Sequence, residues 1–462
     1  MSRGVDEPRG GDQSYTADWS GRRLHFVGIG GAGMSGLALI AHALGAHVTG
    51  SDRVESPYMT ELRAAGILPS IGHLAANVPP GAEVVYSSAV GPDNPERAVA
   101  APERGGTGEL HRGDLLAQLT ALKRCVAVAG THGKTTTTGM IAHVLRGCGL
   151  DPAYVVGGEL RDTGRNAAWG SGEWIVVEVD ESDRSLLKVV PEVVVLTNVE
   201  LDHHATFESR LDLDHTFRVF LGQAHEAVVW DRPELLVLAV DAAHVTPYDA
   251  EDPSFSPTGG SMRWQGLDVN LRVPGLHNAV NAAGALTAAA LAGADPGAAV
   301  AAIAGFSGAR RRFERLGATA TGAWVYDDYA HHPTEIVAAL AAARTLAPRR
   351  VVAVFQPHLY SRTRALAREL GNALAAADVC GVLDVYAARE QVEDFPGVDG
   401  RLVASAAADA GDGREVAWLP SLKDAERWLR SLLRDGDLCL VMGAGNVDSL
   451  GRALVGSADR PA

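Results

Sequence analysis

A glycine-rich turn between an apolar strand and a helix start constrains the fold of this chain more than any other feature. The apolar run VAVA at 126–129 predicts a buried strand, and GTHGKTTTT at 130–138 follows it directly. Glycines let backbone N–H groups surround an anion, and a helix N-terminus adds a positive field. A lysine then spans phosphates, and the next hydroxyl holds Mg2+. The pattern therefore predicts an α/β domain that binds a nucleoside triphosphate.

The turn is shorter than the common phosphate-loop template. GxxxxGK[ST] requires a glycine at position 128, where this chain has Val128. The alternative is a Gly-Lys-Thr triplet in an ordinary surface turn, and the flanking strand and helix patterns disfavour it. The loop therefore indicates a narrower class of nucleotide-binding proteins.

Composition limits the class of protein. A length of 462 residues predicts roughly three domains. The net charge of −15, from 41 basic and 56 acidic residues, argues against a nucleic-acid or anionic-membrane surface. The cysteines are widely separated and form no CxxC pair, which favours reduced thiols in a cytoplasmic protein; they are Cys125, Cys148, Cys380 and Cys439.

Alternating apolar runs and helical periodicity predict three α/β domains after a flexible tail at 1–20. These are a Rossmann-like domain at 21–122, a central phosphate-loop ATPase domain at 123–317 and a Rossmann-like C-terminal domain at 318–462. Residues 249–266 break the pattern at prolines and glycines and predict a surface excursion. The longest weakly apolar stretch, 278–294, predicts a soluble helix and no membrane insertion.

The first domain carries a second glycine loop, GIGGAG at 28–33, after a predicted strand, with Asp52 about twenty residues beyond it. This pattern fits a pyrophosphate on a helix N-terminus, from NAD or from another diphosphate nucleotide. The lysine-bearing phosphate loop that follows makes an NAD-dependent dehydrogenase the less favoured alternative. A turn at 87–95, which contains Ser88, is a second candidate anion site or an ordinary turn.

Acidic side chains end the strand predicted to lie next to the phosphate-loop strand, where a carboxylate can contact Mg2+. Strand position alone favours Asp180, and a solvated acidic turn is the alternative. Asp202 and His203 follow the next strand, which favours a metal-ligating histidine. The acidic cluster comprises Glu178, Asp180, Glu181 and Asp183.

Further polar groups follow later strands. Asn278 and Asn281 share one helix face and can bracket a base or phosphate, although Asn278 could instead cap the helix. The basic run 310–312 suits a phosphoryl group in transfer, or is simply a solvated face. The segments 327–333 and 355–364 place polar groups at strand ends of the third domain, where α/β sheets bind ligands.

These blocks, in this order, resemble the Mur ligases of bacterial peptidoglycan synthesis from about residue 24 to residue 455. The resemblance rests on GIGGAGMSG, GTHGKTTTT, EVDESD, TNVELDHH, HNAVN, RRRFERLG, DDYAHHPTE, FQPHLYSRTR and VMGAGN. It is strongest to the branch that joins L-alanine to UDP-N-acetylmuramate. It implies a cytoplasmic bacterial ligase that uses ATP and Mg2+ (or Mn2+) and forms an acyl phosphate.

The resemblance also implies roles for individual residues. Lys134, Glu178, His203, Arg312 and Asp328 would be catalytic, with Thr135, Glu178 and His203 holding metal. ATP would contact Gly130, Thr131, His132, Gly133, Lys134, Thr135, Thr136, Asn278 and Asn281. The UDP substrate would contact Gly28, Gly30, Gly31, Ala32, Gly33, Asp52 and Ser88, and the amino acid would contact Tyr329, His358 and Arg362.

The chain departs from the family at two positions. Relatives often have Arg where this chain has Leu359, so Arg362 or Arg364 would alone neutralise the carboxylate of the amino acid. After Asp202 and His203 some relatives continue Met-Asp, where this chain has His-Ala. The alternatives are a ligase that recycles a whole tripeptide, whose first loop typically has GxCGT, and a non-catalytic nucleotide sensor.

Overall fold

The computed structural model describes residues 19–100, 108–201, 206–207 and 209–456. Two compact units divide the chain at Arg124 and Cys125, and Lys188–Val190 belongs with the first unit. Residues 1–18 of the predicted tail and His203 lie outside the described residues. Trp19 is buried, so the first unit includes the last residues predicted for the tail.

The first unit contains a five-stranded parallel sheet with the spatial order β3-β2-β1-β4-β5. Its strands are β1 (Arg23–Val27), β2 (His47–Asp52), β3 (Ser70–Ile71), β4 (Glu83–Tyr86) and β5 (Glu109–His111). Its helices are α1 (Ala32–Ala43), α2 (Met59–Ala64), α3 (Pro95–Ala100) and α4 (Arg112–Thr120). The predicted Rossmann-like architecture is confirmed.

A seven-stranded sheet in the second unit has the order β12-β11-β10-β6-β9-β7-β8. Its strands are β6 (Arg124–Ala129), β7 (Ala153–Leu160), β8 (Arg165–Ala168), β9 (Trp174–Glu178), β10 (Val193–Leu196), β11 (Glu226–Trp230) and β12 (His244–Tyr248). The associated helices are α5 (Lys134–Gly147), α6 (Arg210–Leu221), α7 (Pro233–Leu236), α8 (Leu276–Leu291) and α9 (Pro296–Ile303). The strand that ends in the carboxylates, β9, lies beside β6, as predicted.

Residues 249–266 contribute to a small antiparallel sheet of β13 (Glu251–Ser256), β14 (Gly259–Trp264) and β15 (Leu267–Leu271). Within residues 249–266, only β13 agrees with the predicted surface excursion, because its side chains are mostly exposed. Four side chains of β14 and β15 join the core of the central sheet: Met262, Trp264, Val269 and Leu271. The segment therefore helps to stabilise the central fold.

The third sheet has the order β16-β17-β21-β18-β19-β20, with only β16 antiparallel to its neighbour. Its strands are β16 (Glu314–Ala318), β17 (Trp324–Asp328), β18 (Arg350–Phe355), β19 (Val379–Leu383), β20 (Glu415–Leu419) and β21 (Asp437–Met442). Its helices are α10 (Pro333–Thr345), α11 (Tyr360–Leu374), α12 (Gly400–Ala410), α13 (Leu422–Leu432) and α14 (Asp448–Leu454). The predicted boundary at 317/318 falls inside β16, and the domain limits stay a prediction.

Successive side chains along the strands of the third sheet pack alternately into two hydrophobic cores, one on each face. Val351, Ala353 and Phe355 pack on one face, while Val352 and Val354 pack on the other. Helices therefore cover both faces, as buried parallel strands require. Among the described helices, none combines the length and apolarity needed to cross a membrane.

Candidate active site

The phosphate loop links β6 to α5 through two glycines in the left-handed region. Gly130 has φ +130° and Gly133 has φ +80°, and Gly133 immediately precedes the first residue of α5. A Cβ atom on Gly133 would lie 2.7 Å from Asn281 Oδ1, and one on Gly130 would lie 2.7 Å from the carbonyl oxygen of Asn198. Both positions therefore need glycine for conformation and for space.

The segment that follows β10 holds this loop in shape. The amide of Thr131 donates to the Asn198 carbonyl oxygen (3.0 Å), and the amide of His132 donates to Asn198 Oδ1 (2.9 Å). Thr197 Oγ1 in turn donates to the His132 carbonyl oxygen (2.6 Å). The loop is therefore preorganised by protein contacts alone.

Lys134 reaches back across the loop. Its Nζ donates to the carbonyl oxygens of Gly130 (2.5 Å) and Thr131 (3.2 Å) and pairs with Glu181 Oε2 at 2.9 Å. Burial alone lowers the pKa of Lys134, but the carboxylates of Glu181, Asp180 and Glu178 outweigh it and raise that pKa. The ammonium therefore stays charged. The sequence placed Glu181 in the acidic cluster but did not predict it as the partner of Lys134.

Oxygen donors suitable for a hard cation meet beside the loop. Thr135 Oγ1 donates to Glu178 Oε2 at 2.9 Å, and the amide of Gly157 donates to the same oxygen at 2.8 Å. A hydroxyl and a carboxylate are ligands that Mg2+ accepts, so these two residues fit the predicted metal site. Asp180 instead accepts from the amide of Ser182 within its own turn (2.9 Å). The geometry favours Glu178 over the residue that strand position favoured.

Arg312, two residues before β16, reaches the phosphate loop, and Asp328, the last residue of β17, lies beside it. Arg312 Nη2 donates to Thr135 Oγ1 at 3.2 Å. Asp328 accepts from the amides of Phe313 and Ala330, each at 2.7 Å, and so anchors the backbone next to Arg312. Burial raises the pKa of Asp328 to about 6 against the opposing effect of Arg312.

The two asparagines lie at the start of α8. Gly275, with φ +96°, is the N-cap residue, so the alternative interpretation of Asn278 as the cap is wrong. The side-chain amide of Asn278 donates to the Pro274 carbonyl oxygen (2.7 Å). Asn281 faces Gly133 of the phosphate loop. Both asparagines are buried, and α8 packs against α5.

The residues predicted for the amino-acid pocket lie together at the carboxyl end of the third sheet. Arg362 is buried, with Nη1 3.3 Å from His358 Nδ1, and Tyr329 lies beneath Arg312, 5.0 Å from its Cζ atom to the ring centroid. His331 stands between them, with ring centroids 5.6 Å from Tyr329 and 6.2 Å from His358; sequence reasoning assigned it no role.

The chain has Leu359, and not an arginine, next to His358, so the predicted partner of the substrate carboxylate is Arg362 or Arg364. Leu359 is buried with φ +70°, and its amide donates to the Tyr386 carbonyl oxygen (3.0 Å). The Arg364 guanidinium stacks over Phe395 at 5.0 Å. Arg362 is therefore the better placed of the two arginines proposed for a substrate carboxylate.

The glycine loop of the first unit borders a cavity of about 470 Å³. Five of the predicted residues line it: Gly28, Gly31, Ala32, Gly33 and Asp52. The other two predicted residues, Gly30 and Ser88, are not among the residues that line the cavity. The amide of Gly30 donates to Asp52 Oδ2 (2.9 Å), and Ser88 Oγ lies 3.1 Å from His111 Nε2. The turn at 87–95, predicted as a candidate anion site or an ordinary turn, also borders the cavity through Ser87, Ala89, Val90, Gly91 and Asn94. The sequence did not predict Arg53, His73 and Arg112, which line it as well.

Comparison with protein families covers most of the chain. Residues 23–124 match the Mur ligase family, catalytic domain; residues 128–289 match the Mur ligase middle domain; and residues 311–445 match the Mur ligase, glutamate ligase domain. Each of the three matched segments corresponds to one of the three larger sheets.

Individual relatives match at nearly full length. A UDP-N-acetylmuramate–L-alanine ligase of Gloeobacter violaceus is 44% identical over 457 residues, which cover 96% of this chain and 97% of the relative. The enzyme of that name from Rubrobacter xylanophilus is 42% identical over 449 residues, covering 94% and 99%. The crystal structure of UDP-N-acetylmuramate–alanine ligase from Thermotoga maritima superposes with a TM-score of 0.80 at 29% identity, over 94% of this chain and 98% of that chain. The chain belongs to the Mur ligase family.

Proposed function

We propose that this chain joins L-alanine to the lactyl carboxylate of UDP-N-acetylmuramate with conversion of ATP to ADP and phosphate, in peptidoglycan precursor synthesis. The observation that carries the proposal is the identity of 42–44% over nearly the full length to ligases of that name. The preorganised phosphate loop supports it independently, because an amide bond formed from a free carboxylate needs an activating phosphoryl donor.

The chemistry proceeds in two steps. A carboxylate is a poor electrophile, so its oxygen first attacks the γ-phosphorus of ATP, and ADP leaves. The amine of L-alanine then attacks the acyl carbon, and the tetrahedral intermediate collapses with loss of inorganic phosphate and a proton. Both steps gain from fixed positive charge near the transferring group.

Residues around the phosphate loop supply that charge. Lys134, already held over the loop, would exchange its contacts with Glu181 and the backbone for the β- and γ-phosphates. Thr135 and Glu178 would hold Mg2+ (or Mn2+), with His203 contributing to a second site, and the ion would neutralise phosphate charge when bound. Arg312 would stabilise the transferring phosphoryl group. Asp328 would position Arg312 through the Phe313 amide.

The remaining substrates would occupy the other two sites. Asn278 and Asn281 would contact ATP beside the loop, and the cavity of the first unit would hold the UDP moiety. Arg362 would pair with the carboxylate of L-alanine, with His358 beside it and Tyr329 closing the pocket. We place the protein in the bacterial cytoplasm, where ATP and nucleotide-linked sugars are available.

A substrate-omission experiment tests the proposal. We expect phosphate release only when ATP, Mg2+, UDP-N-acetylmuramate and L-alanine are all present, because the amine completes turnover. A panel of L-alanine, glycine, L-serine and the tripeptide, followed by mass spectrometry of the product, defines the acceptor. Equal turnover with the tripeptide would contradict the L-alanine assignment and favour the recycling ligase. Binding of ATP without product would favour the nucleotide sensor.

A further inference from the structure

Two histidines and a glutamate converge at the phosphate loop, and the proposed chemical steps assign none of the three side chains a role. His132 belongs to the loop, Glu200 follows β10, and His332 immediately precedes α10. His132 Nε2 and His332 Nδ1 each lie 3.4 Å from Glu200 Oε2, and the two imidazole centroids are 4.7 Å apart. The three potential ligand atoms all lie within 4.8 Å of one another.

These distances match a small metal site. Zinc bonds of about 2.0–2.1 Å in a tetrahedral arrangement separate neighbouring ligand atoms by about 3.3 Å. The two nitrogen-to-oxygen distances of 3.4 Å agree with this separation. The two nitrogen atoms lie within 4.8 Å of each other, so they would approach by at most about 1.5 Å on binding an ion. One ion between the three side chains would leave one tetrahedral position open for water.

Neighbouring groups already orient the ligand atoms. His132 Nδ1 lies 3.2 Å from Glu335 Oε1, so the carboxylate behind the ring turns Nε2 toward Glu200. Thr334 Oγ1 donates to Glu200 Oε2 at 2.6 Å and fixes that carboxylate. A carboxylate behind a metal-binding imidazole is the usual arrangement in metalloproteins.

The surroundings favour a positive charge at this point. His132 Nε2 is buried and makes no hydrogen bond within the described residues. The carboxylates of Glu335 and Glu200 lie on either side of the His132 ring, so their negative charge would stabilise a cation at this nitrogen.

We propose that His132, Glu200 and His332 form a binding site for a transition-metal ion of the zinc class. Two nitrogen donors and one oxygen donor favour Zn2+ or Co2+, whereas Thr135 and Glu178 offer Mg2+ only oxygen. The site is therefore distinct from the proposed Mg2+ site. A bound ion would connect the phosphate loop to the N-cap residue of α10 and so link the central and third sheets at the nucleotide site.

Titration of the full-length protein with Co2+ in excess Mg2+ tests the proposal without any assay of ligation. We expect the visible absorption of four-coordinate cobalt, at one equivalent, and its loss when Zn2+ competes. Glu200→Gln and His332→Ala should each weaken Co2+ binding by at least about tenfold, because each removes one ligand atom. Thermal melting of each variant verifies that the fold persists, and Glu200→Gln retains the size of the native side chain.

The chain provides a matched control. A second set of the same residue types lies at the edge of the central sheet that β11 and β12 form, with His225 and His244 exposed and Glu226 partly buried. His244→Ala and Glu178→Gln should retain the cobalt signal. Loss of the signal in either control, its retention in Glu200→Gln and His332→Ala, or no four-coordinate cobalt in the native protein would each overturn the proposal and leave a protonated ion-pair cluster.

Discussion

At the residue scale, Lys134, which we propose contacts the nucleotide phosphates, is held in place by groups of the protein. Its ammonium rests between two loop carbonyls and the carboxylate of Glu181, which is 2% exposed. Nucleotide phosphates would compete for the same ammonium. Because the pKa of Lys134 is raised, no change of protonation is needed for that exchange.

Lys134→Ala should lower the rate of phosphate release at least about 100-fold, since it removes a fixed charge from the transferring phosphates. Steady-state turnover with all substrates saturating measures the loss. Lys423→Ala removes an exposed lysine from α13 and is expected to leave turnover unchanged.

Lys134→Ala also leaves the buried Glu181 carboxylate without the ammonium that pairs with it, which can destabilise the fold. The double variant Lys134→Ala/Glu181→Gln relieves that charge. If the double variant regains stability but remains inactive, the catalytic role stands; native turnover in either variant would refute it.

At the scale of single elements, α5 offers a matched pair of glycines. Gly133 precedes the helix with φ +80°, and Gly149 follows it with φ +77°. Alanine at either position incurs the left-handed penalty of roughly 1 kcal/mol. Only at Gly133 does the new Cβ atom meet another residue, Asn281 Oδ1 at 2.7 Å, whereas none lies within 4 Å at Gly149.

Gly133→Ala should therefore raise the KM for ATP about tenfold or more, while Gly149→Ala should lower thermal stability without changing that KM. Parallel melting curves and ATP titrations of the two variants separate the effects. An equal change of KM in both variants would mean that helix stability, and not the shape of the loop, governs nucleotide binding.

The sequence predicted what depends on local pattern. The strand, loop and helix at 126–138 are predictable from neighbouring residues. The succession of α/β domains along the chain is predictable from the alternation of apolar runs with helical periodicity. Pairings across the fold were not predictable, because Glu181 with Lys134 and His132 with Glu335 depend on how separate elements pack. The sheet at 251–271 was missed because Pro253 suggested a break, although proline is tolerated at an edge-strand irregularity such as that of β13.

At the scale of the whole molecule, stability is concentrated in separate cores, and the first unit contains a buried carboxylate that joins several elements. Glu96 of α3 is 0% exposed. It accepts from Ser51 Oγ of β2 (2.5 Å) and Asn77 Nδ2 (2.6 Å), and it lies 3.5 Å from His25 Nε2 of β1. Burial raises the pKa of Glu96, but these partners outweigh burial and lower it to about 2.

The lowered pKa of Glu96 determines how the stability of the first unit changes with pH. Because the folded pKa of about 2 is below the ordinary value of 4.5, ionised Glu96 stabilises the folded state above pH 4.5. This contribution, on the order of 3 kcal/mol, is lost as the pH falls from 4.5 toward 2. Glu96→Gln should therefore destabilise the first unit strongly at pH 7 and by about 2 kcal/mol less at pH 3.

Hydrogen exchange followed by mass spectrometry can test this in the intact chain, since peptides from β1 and β2 report on the first unit and peptides from β18 and β21 serve as an internal reference. Rates corrected for intrinsic exchange give the opening free energy at each pH. Glu83→Gln is the matched control, because Glu83 makes a more exposed pair with Arg22 and should change that free energy by less than about 1 kcal/mol. If Glu96→Gln costs the same free energy at both pH values, the loss reflects packing alone, and the ionised carboxylate does not hold α3, β1 and β2 together.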